Sequence, residues 1–285
     1  MNRLDRPLLL RKESFGGTLF NVSTGRRAYV NKTEFAFARA NSSVSAQLAS
    51  ELGLNQLKCS IVELLWIPDF NFSSPDTVFL EITRACNLKC VNCFNNAGKV
   101  LAGELTRAQQ MTVIGDLKET GVQEIDFTGG EPLVVPHVYE LMAHCYSLGM
   151  RSYMGTNATL INDEAARKLA EAGLGLAVVS VDGIGAVHDA VRGRGSFQKT
   201  MTGIAKLIGN GVKVSINMVV KRSNTANVKE LVSYFFRLGM PVFLRRLIPA
   251  GRASGEMANM LSKAEYLKLG EDLRVYLEDK RGLIG

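Results

Sequence analysis

The sequence predicts an α/β fold: a partial (β/α)6 TIM-like barrel with a small N-terminal β-hairpin/helix segment. Three observations predict it. From about residue 78 onward, short β-rich runs alternate with amphipathic helical stretches. Gly121, Gly149, Gly173, Gly211 and Gly239 each close a helix just before the next β-rich run. Runs such as Ala177-Val178-Val179-Ser180-Val181 are nearly continuous in apolar residues, as in parallel strands covered on both faces. Six such units suit an incomplete barrel better than an open doubly wound sheet.

The elements follow in order. Thr18–Val22 and Ala28–Asn31 flank Ser23-Thr24-Gly25-Arg26, a hairpin with a glycine-bearing turn. Helices follow from Lys32 to about Ala40 and from about Ser43 to Leu52. Pro68–Asp76, rich in Asn, Ser and Pro, reads as a linker. The strands of the barrel fall at Thr77–Thr83, Glu124–Thr128, Arg151–Thr156, Leu176–Val181, Lys213–Val219 and Val242–Leu247. Helices fall near Thr106–Thr120, Pro136–Leu148, Asn162–Ala172, Ser196–Asn210, Asn224–Leu238 and Ser262–Asp279. Thr106 and Asn162 are the expected N-caps, with Asp163 and Glu164 in the first turn after Asn162. Residues 1–75 therefore form one segment and residues 76–285 the barrel.

The 285 residues are 46% hydrophobic, enough for a large core. The net charge of +7 is spread along the chain, without the basic stripe expected of a nucleic-acid binder. No apolar run is long enough to span a membrane, and the N-terminus lacks a signal-peptide core. The expectation is a cytoplasmic protein. Five cysteines, an odd number, argue against a disulfide framework and for metal or catalytic use.

Three of the five lie within eight residues, Cys86-Asn87-Leu88-Lys89-Cys90-Val91-Asn92-Cys93, at the C-terminal edge of the first barrel strand. Active sites of α/β folds are built at that edge. Three close thiolates can converge on one metal centre. A structural zinc takes a fourth protein ligand, and neither His137 nor His144 is near in sequence. A four-iron cluster held by three cysteines keeps one iron open. Cys59 and Cys145 read as buried thiols.

The stretch LEITRACNLKCVNCFNNAGK, residues 80–99, resembles the signature of the radical S-adenosylmethionine (SAM) superfamily. The resemblance implies that Cys86, Cys90 and Cys93 bind a [4Fe-4S] cluster whose open iron chelates SAM. It also implies reductive cleavage of SAM to methionine and a 5′-deoxyadenosyl radical. Asn92 departs from the pattern, which has an aromatic residue or His at this adenine-contacting position, and the resemblance implies an adenine contact through its amide instead. Thr128-Gly129-Gly130-Glu131-Pro132 is similar to the family's GGE motif, which implies that Gly129, Gly130 and Glu131 hold the methionine amino group. Glycines permit close backbone approach, and a carboxylate suits an ammonium. Thr156-Asn157, ending the third strand, faces the cofactor or substrate cavity on this reading, or is simply an Asn turn.

Ser180-Val181-Asp182-Gly183, then His188-Asp189, Arg192 and Gly195-Ser196-Phe197, resemble a pattern of peptide-modifying members. The implied roles are contacts of Ser180 and Arg192 with the methionine carboxylate, for which a planar guanidinium fork is suited. Arg194 is the rival, and spacing favours Arg192. Asp182 reads as a turn residue rather than a ribose contact, and His188 as a structural contact. The resemblance also implies that Ser215–Met218 of the fifth strand passes its backbone along the adenine. Arg245, Arg246 and Arg252, around the sixth strand, either orient substrate or SAM or, on the preferred reading, are solvated.

Similarity is greatest to the ribosomal-peptide (RiPP) maturase branch and covers roughly residues 76–280. It implies a precursor peptide substrate, modified by cross-linking, epimerisation or excision. It also implies an electron donor of flavodoxin or ferredoxin type. The N-terminal segment resembles the start of a peptide-leader-recognition module; either a separate recognition protein completes it or it merely pads the barrel. Two alternatives stand beside this. One is the same cofactor chemistry on a small-molecule cofactor precursor, and the other a non-enzymatic, zinc-bound peptide adaptor.

Overall fold

The computed structural model describes residues 8–64 and 74–281. Strands β1 (Leu8–Glu13), β2 (Gly16–Asn21) and β3 (Arg26–Asn31) are followed by helices α1 (Lys32–Asn41) and α2 (Ala46–Leu52) and by strand β4 (Ile61–Leu64). They form a four-stranded sheet in the order β3-β2-β1-β4. The β2–β3 hairpin expected from the glycine turn pairs Asn21 with Arg26. Sequence patterning missed β1 and β4. Five of the six residues of β1 are buried, so it has no alternation to betray it. Within the expected linker, residues 68–73 lie outside the described residues, and Ser74–Asp76 form a loop.

The larger sheet holds β5 (Thr77–Glu81), β6 (Glu124–Thr128), β7 (Arg151–Thr156), β8 (Leu176–Ser180), β9 (Val214–Val220) and β10 (Val242–Arg246). It runs β10-β9-β8-β7-β6-β5, every neighbouring pair parallel. Helices α3 (Arg107–Glu119), α4 (Val138–Ser147), α5 (Asp163–Glu171), α6 (Ala186–Arg192), α7 (Ser196–Gly209), α8 (Val228–Arg237) and α9 (Lys263–Arg281) connect and follow these strands. This is the expected partial barrel. Thr106 caps α3 in a capping box with Gln109, and Asn162 caps α5. The five closing glycines all have positive φ, from 69° to 93°.

Two boundaries and one short helix stand out against expectation. Strand β5 ends at Glu81, so the cysteines sit in the loop beyond it rather than at its tip. Residues Arg222–Asn227 form a 3-10 segment, and α8 starts only at Val228. The seven-residue α6 carries His188 and Arg192, too short a helix for periodicity to reveal.

Burial alternates along the central strands. Ile125 and Phe127 of β6, Met154 of β7, Ala177 and Val179 of β8, and Ile216 and Met218 of β9 are fully buried against the helices. Asp126, Tyr153, Gly155, Val178, Ser180, Asn217 and Val219 lie on the other, concave face and are half-buried. That alternation is the mark of a half-barrel with an open inner wall.

The small sheet packs at the N-terminal ends of the barrel strands. Arg11, 1% exposed, pairs with Glu13 and Asp76, each at 2.6 Å, and donates to the Gly121 carbonyl at 3.1 Å. Arg27 pairs with Glu124 at 3.1 Å and donates to Gln123 at 3.0 Å. Arg151, the first residue of β7, donates to the Val22 carbonyl at 3.4 Å. Hence the opposite edge of the barrel is left to the loops that carry the cysteines.

Candidate cofactor site

The loop after β5 carries Cys86, Cys90 and Cys93. Cys90 is buried and the other two are half-buried. Backbone amides face two of the sulfurs: Leu88 N–H donates to Cys86 Sγ, and Ala97 N–H to Cys93 Sγ, both at 3.4 Å. Burial pushes the Cys86 and Cys90 thiols up, and the Arg192 guanidinium opposes this at Cys90. Arg192 Nη1 lies 3.9 Å from Cys90 Sγ. Among the described residues no three His, Cys, Asp or Glu side chains sit close enough to share a single metal ion. A cluster with several irons spans a wider set of thiolates, and amide donors to sulfur tune such clusters.

The turn after β6 presses on this loop. A Cβ at Gly129, whose φ is +139°, would stand 2.1 Å from the Thr83 carbonyl oxygen. At Gly130 it would stand 2.0 Å from that of Ala85. Both positions therefore require glycine. Gly130 N–H donates to Thr83 O at 2.7 Å and Glu131 N–H to Ala85 O at 2.9 Å. Glu131 itself is fully buried. It accepts from Thr156 Oγ1 and Asn157 N–H at 2.7 Å and from Leu133 N–H at 3.3 Å. A carboxylate has about four acceptor positions, so roughly one remains for a ligand ammonium. Burial pushes its pKa up, and the three donors hold it down.

Thr156, the last residue of β7, and Asn157, both buried, thus hold the Glu131 turn from the next strand end. Asn157 Nδ2 also donates to Asn87 Oδ1, inside the cysteine loop, at 2.9 Å. Ser180, half-buried, ends β8 on the concave face beside Asn217. Arg192 points inward with 10% of its side chain exposed, whereas Arg194 is exposed. Asn92, buried, borders a cavity of about 340 Å³ with Phe94, Asn217, Val219, Arg245 and Ile248.

The structure corrects three expectations. Asp182 is not a turn residue: it is 0% exposed, and its carboxylate pairs with Arg192 Nε at 2.8 Å and accepts from Val219 N–H at 2.9 Å. Arg252 is not solvated, because it donates to the carbonyls of Cys90 and Ala97 at 2.8 and 2.7 Å. With Gly251, packed against Phe94 O, it clamps the cysteine loop from outside. Cys59 is half-buried, whereas Cys145 is buried as expected. His188 is a structural contact as expected. It is fully buried, its Nδ1 accepts from Asp182 N–H at 3.4 Å, and burial pushes its pKa down to about 4.

One residue was missed altogether. Asp126 stands on the concave wall between Phe79 of β5 and Tyr153 of β7, and its Oδ1 has no hydrogen-bond partner. Burial raises its pKa to about 6. The available signal was a charged residue alternating with Ile125 and Phe127 in a barrel strand.

Comparison with known proteins decides the family. The Radical SAM superfamily matches residues 80–235, more than half of the chain. The chain belongs to that superfamily. Radical SAM proteins bind a [4Fe-4S] cluster and SAM, and the chain resembles anSMEcpe with bound AdoMet at a TM-score of 0.60, with 23% identity. The AdoMet-dependent heme synthase of Nitratidesulfovibrio vulgaris is 36% identical over 192 residues, covering 65% of this chain and 52% of that protein. The mycofactocin maturase MftC of Mycobacterium tuberculosis is 33% identical over 194 residues, covering 67% and 50% respectively. This radical SAM chain thus spans about half the length of the curated relatives it matches. In shape it matches Streptococcus suis SuiB bound to precursor peptide SuiA, with a TM-score of 0.74 and 19% identity. That match covers 99% of this chain and 71% of SuiB. Among the described residues no helix is long and apolar enough to cross a membrane.

Proposed function

We propose that this radical SAM enzyme modifies a ribosomally made precursor peptide. The donor set suits the family's cofactors: three cysteines, two of them with amide donors to sulfur, a glycine turn against their loop, and an inward arginine. Cys86, Cys90 and Cys93 would hold the cluster. Gly129, Gly130 and Glu131 would hold the amino end of SAM, Ser180 and Arg192 its carboxylate, and Asn92 its adenine side. Thr156 and Asn157 act here by fixing Glu131 and the cysteine loop. When bound, the cluster and SAM supply a carbon radical able to take a hydrogen atom from a substrate C–H bond. The protein's own part is to seat the reactants and to keep water from the inner wall.

The observation that carries the peptide reading is the N-terminal sheet. Its edge strand β3 leads directly into α1, and the match to SuiB extends over this segment. Residues 1–75 on this reading form a leader-recognition-like module that takes an extended peptide by strand addition, with or without a separate recognition protein. A flavodoxin- or ferredoxin-type protein would donate the electron, in the cytoplasm.

A second reading, a small-molecule cofactor precursor as substrate, is favoured by the slightly higher identity to heme synthases. One experiment separates them. The anaerobically reconstituted enzyme is incubated with SAM, reductant and either short peptides encoded beside its gene or iron porphyrins. A mass change in a peptide supports the first reading. A change in the porphyrin alone overturns it in favour of the second.

A further inference from the structure

Asp182 takes no part in the roles assigned so far, yet its carboxylate has as many hydrogen-bond partners as that of Glu131. Its Oδ2 accepts from Arg192 Nε at 2.8 Å and from Asn92 Nδ2 at 3.5 Å. Its Oδ1 accepts from Val219 N–H of β9 at 2.9 Å. Its own carbonyl accepts from the buried Asn224 Nδ2 at 3.0 Å, and its N–H donates to His188 Nδ1 at 3.4 Å. One side chain, 0% exposed, therefore joins the cysteine loop, the end of β8, strand β9 and helix α6. Its carboxylate is taken up by Arg192, Asn92 and Val219, and Asp182 is not itself part of the cavity lining.

The geometry of Arg192 shows what this achieves. A guanidinium has five N–H donors in a rigid fork. Asp182 takes one, and another points toward Cys90 Sγ. The remaining donors keep the direction that the pair imposes. Meanwhile Asn92 and Val219, the other two donors to Asp182, both border the 340 Å³ cavity. A buried ion pair is weak evidence for stability. What this one supplies is orientation, at two ends of one site.

We propose that Asp182 is the positioning residue of the cofactor site. Its carboxylate turns Arg192 toward the methionine end of SAM and holds Asn92 and β9 at the adenine end. This rests on the reading that Arg192 and Asn92 hold SAM. The effect of outer partners on bound groups is commonly 10–100-fold in affinity.

The test uses full-length, anaerobically reconstituted protein and SAM as the titrant, read by calorimetry, with iron content and melting temperature measured alongside. Asp182→Asn is expected to keep its iron and to bind SAM at least about tenfold more weakly. Asp182→Glu, which keeps the charge, should recover part of that loss. Arg192→Ala should be as weak as Asp182→Asn or weaker. If Asp182→Asn binds SAM within about twofold of wild type while Arg192→Ala does not, the positioning role is overturned. If both bind normally, the assignment of Arg192 fails instead. Should Asp182→Asn lose its iron, Arg192→Lys reads the same alignment with the carboxylate intact. A lysine cannot both grip Asp182 and present a fork, so normal SAM binding by that variant overturns the proposal.

Discussion

Replacing Asp126 by Asn should stabilise the protein at neutral pH, and the size of the gain should follow pH. In the fold, burial raises the Asp126 pKa from 3.8 to about 6, against one backbone hydrogen bond from Gly155. A raised carboxylate pKa favours the protonated, folded form. Its stabilising contribution is full below the unfolded value near 3.8 and is lost as pH rises through about 6. Two units at about 1.36 kcal/mol each give a cost of about 3 kcal/mol once Asp126 is ionised. The side chain is half-buried, so water screens part of this, and roughly 1–3 kcal/mol is the working range. An Asn is nearly the same shape, can keep the Gly155 bond and never ionises. Anaerobic urea unfolding of both proteins at pH 5, 6, 7 and 8 measures the difference. The advantage of Asp126→Asn should grow from pH 5 to 7 and then level off. Equal stability at pH 8, or a gap that ignores pH, would show that the carboxylate is solvated after all.

Four further outcomes are expected. Cys86→Ala, Cys90→Ala and Cys93→Ala should each lose cluster iron and SAM cleavage, and a fully active Cys90→Ala enzyme would contradict the assignment. Gly130→Ala forces a Cβ to within 2.0 Å of Ala85 O and should cost about 1–3 kcal/mol in unfolding and reduce iron loading. Gly255→Ala, with open space around it, should do neither. Arg11→Met removes the cation that Glu13 and Asp76 share while Asp76 keeps Arg27, and a loss of about 1–3 kcal/mol is expected in chemical unfolding. His188 has its pKa lowered to about 4. Its contribution is present above the unfolded value near 6.5 and lost as pH falls toward 4, so His188→Asn should flatten the acid side of the stability profile.

The barrel was legible because its signals are local. Cap residues, closing glycines and apolar runs act within one element, and the cysteine triplet and the GGE turn are short contiguous strings. Asp182 was misread because its partners are far away in sequence: Asn92 lies 90 residues before it and Val219 37 after. Arg252 was misread for the same reason, since it reaches Cys90 across 162 residues. Strand β1 escaped because contact on both faces erases the period of two. Asp126 escaped because a lone acid in a strand looks like a surface residue until the curvature of the sheet turns that face inward.

The placement of the small sheet has a consequence for substrate length. Arg11, Arg27 and Arg151 fasten it beneath the barrel, while the cysteines lie above the far rims of the strands. The longest strand, Val214–Val220, has seven residues, and at about 3.3 Å per residue the wall is roughly 23 Å tall. On the peptide reading proposed above, a precursor gripped at β3 would have to climb that wall before any of its atoms met the radical. Fully stretched, it needs at least about seven residues between the gripped segment and the reacting one. On that proposed reading the protein would act as a ruler, and a precursor with a shorter spacer should be bound but left unaltered.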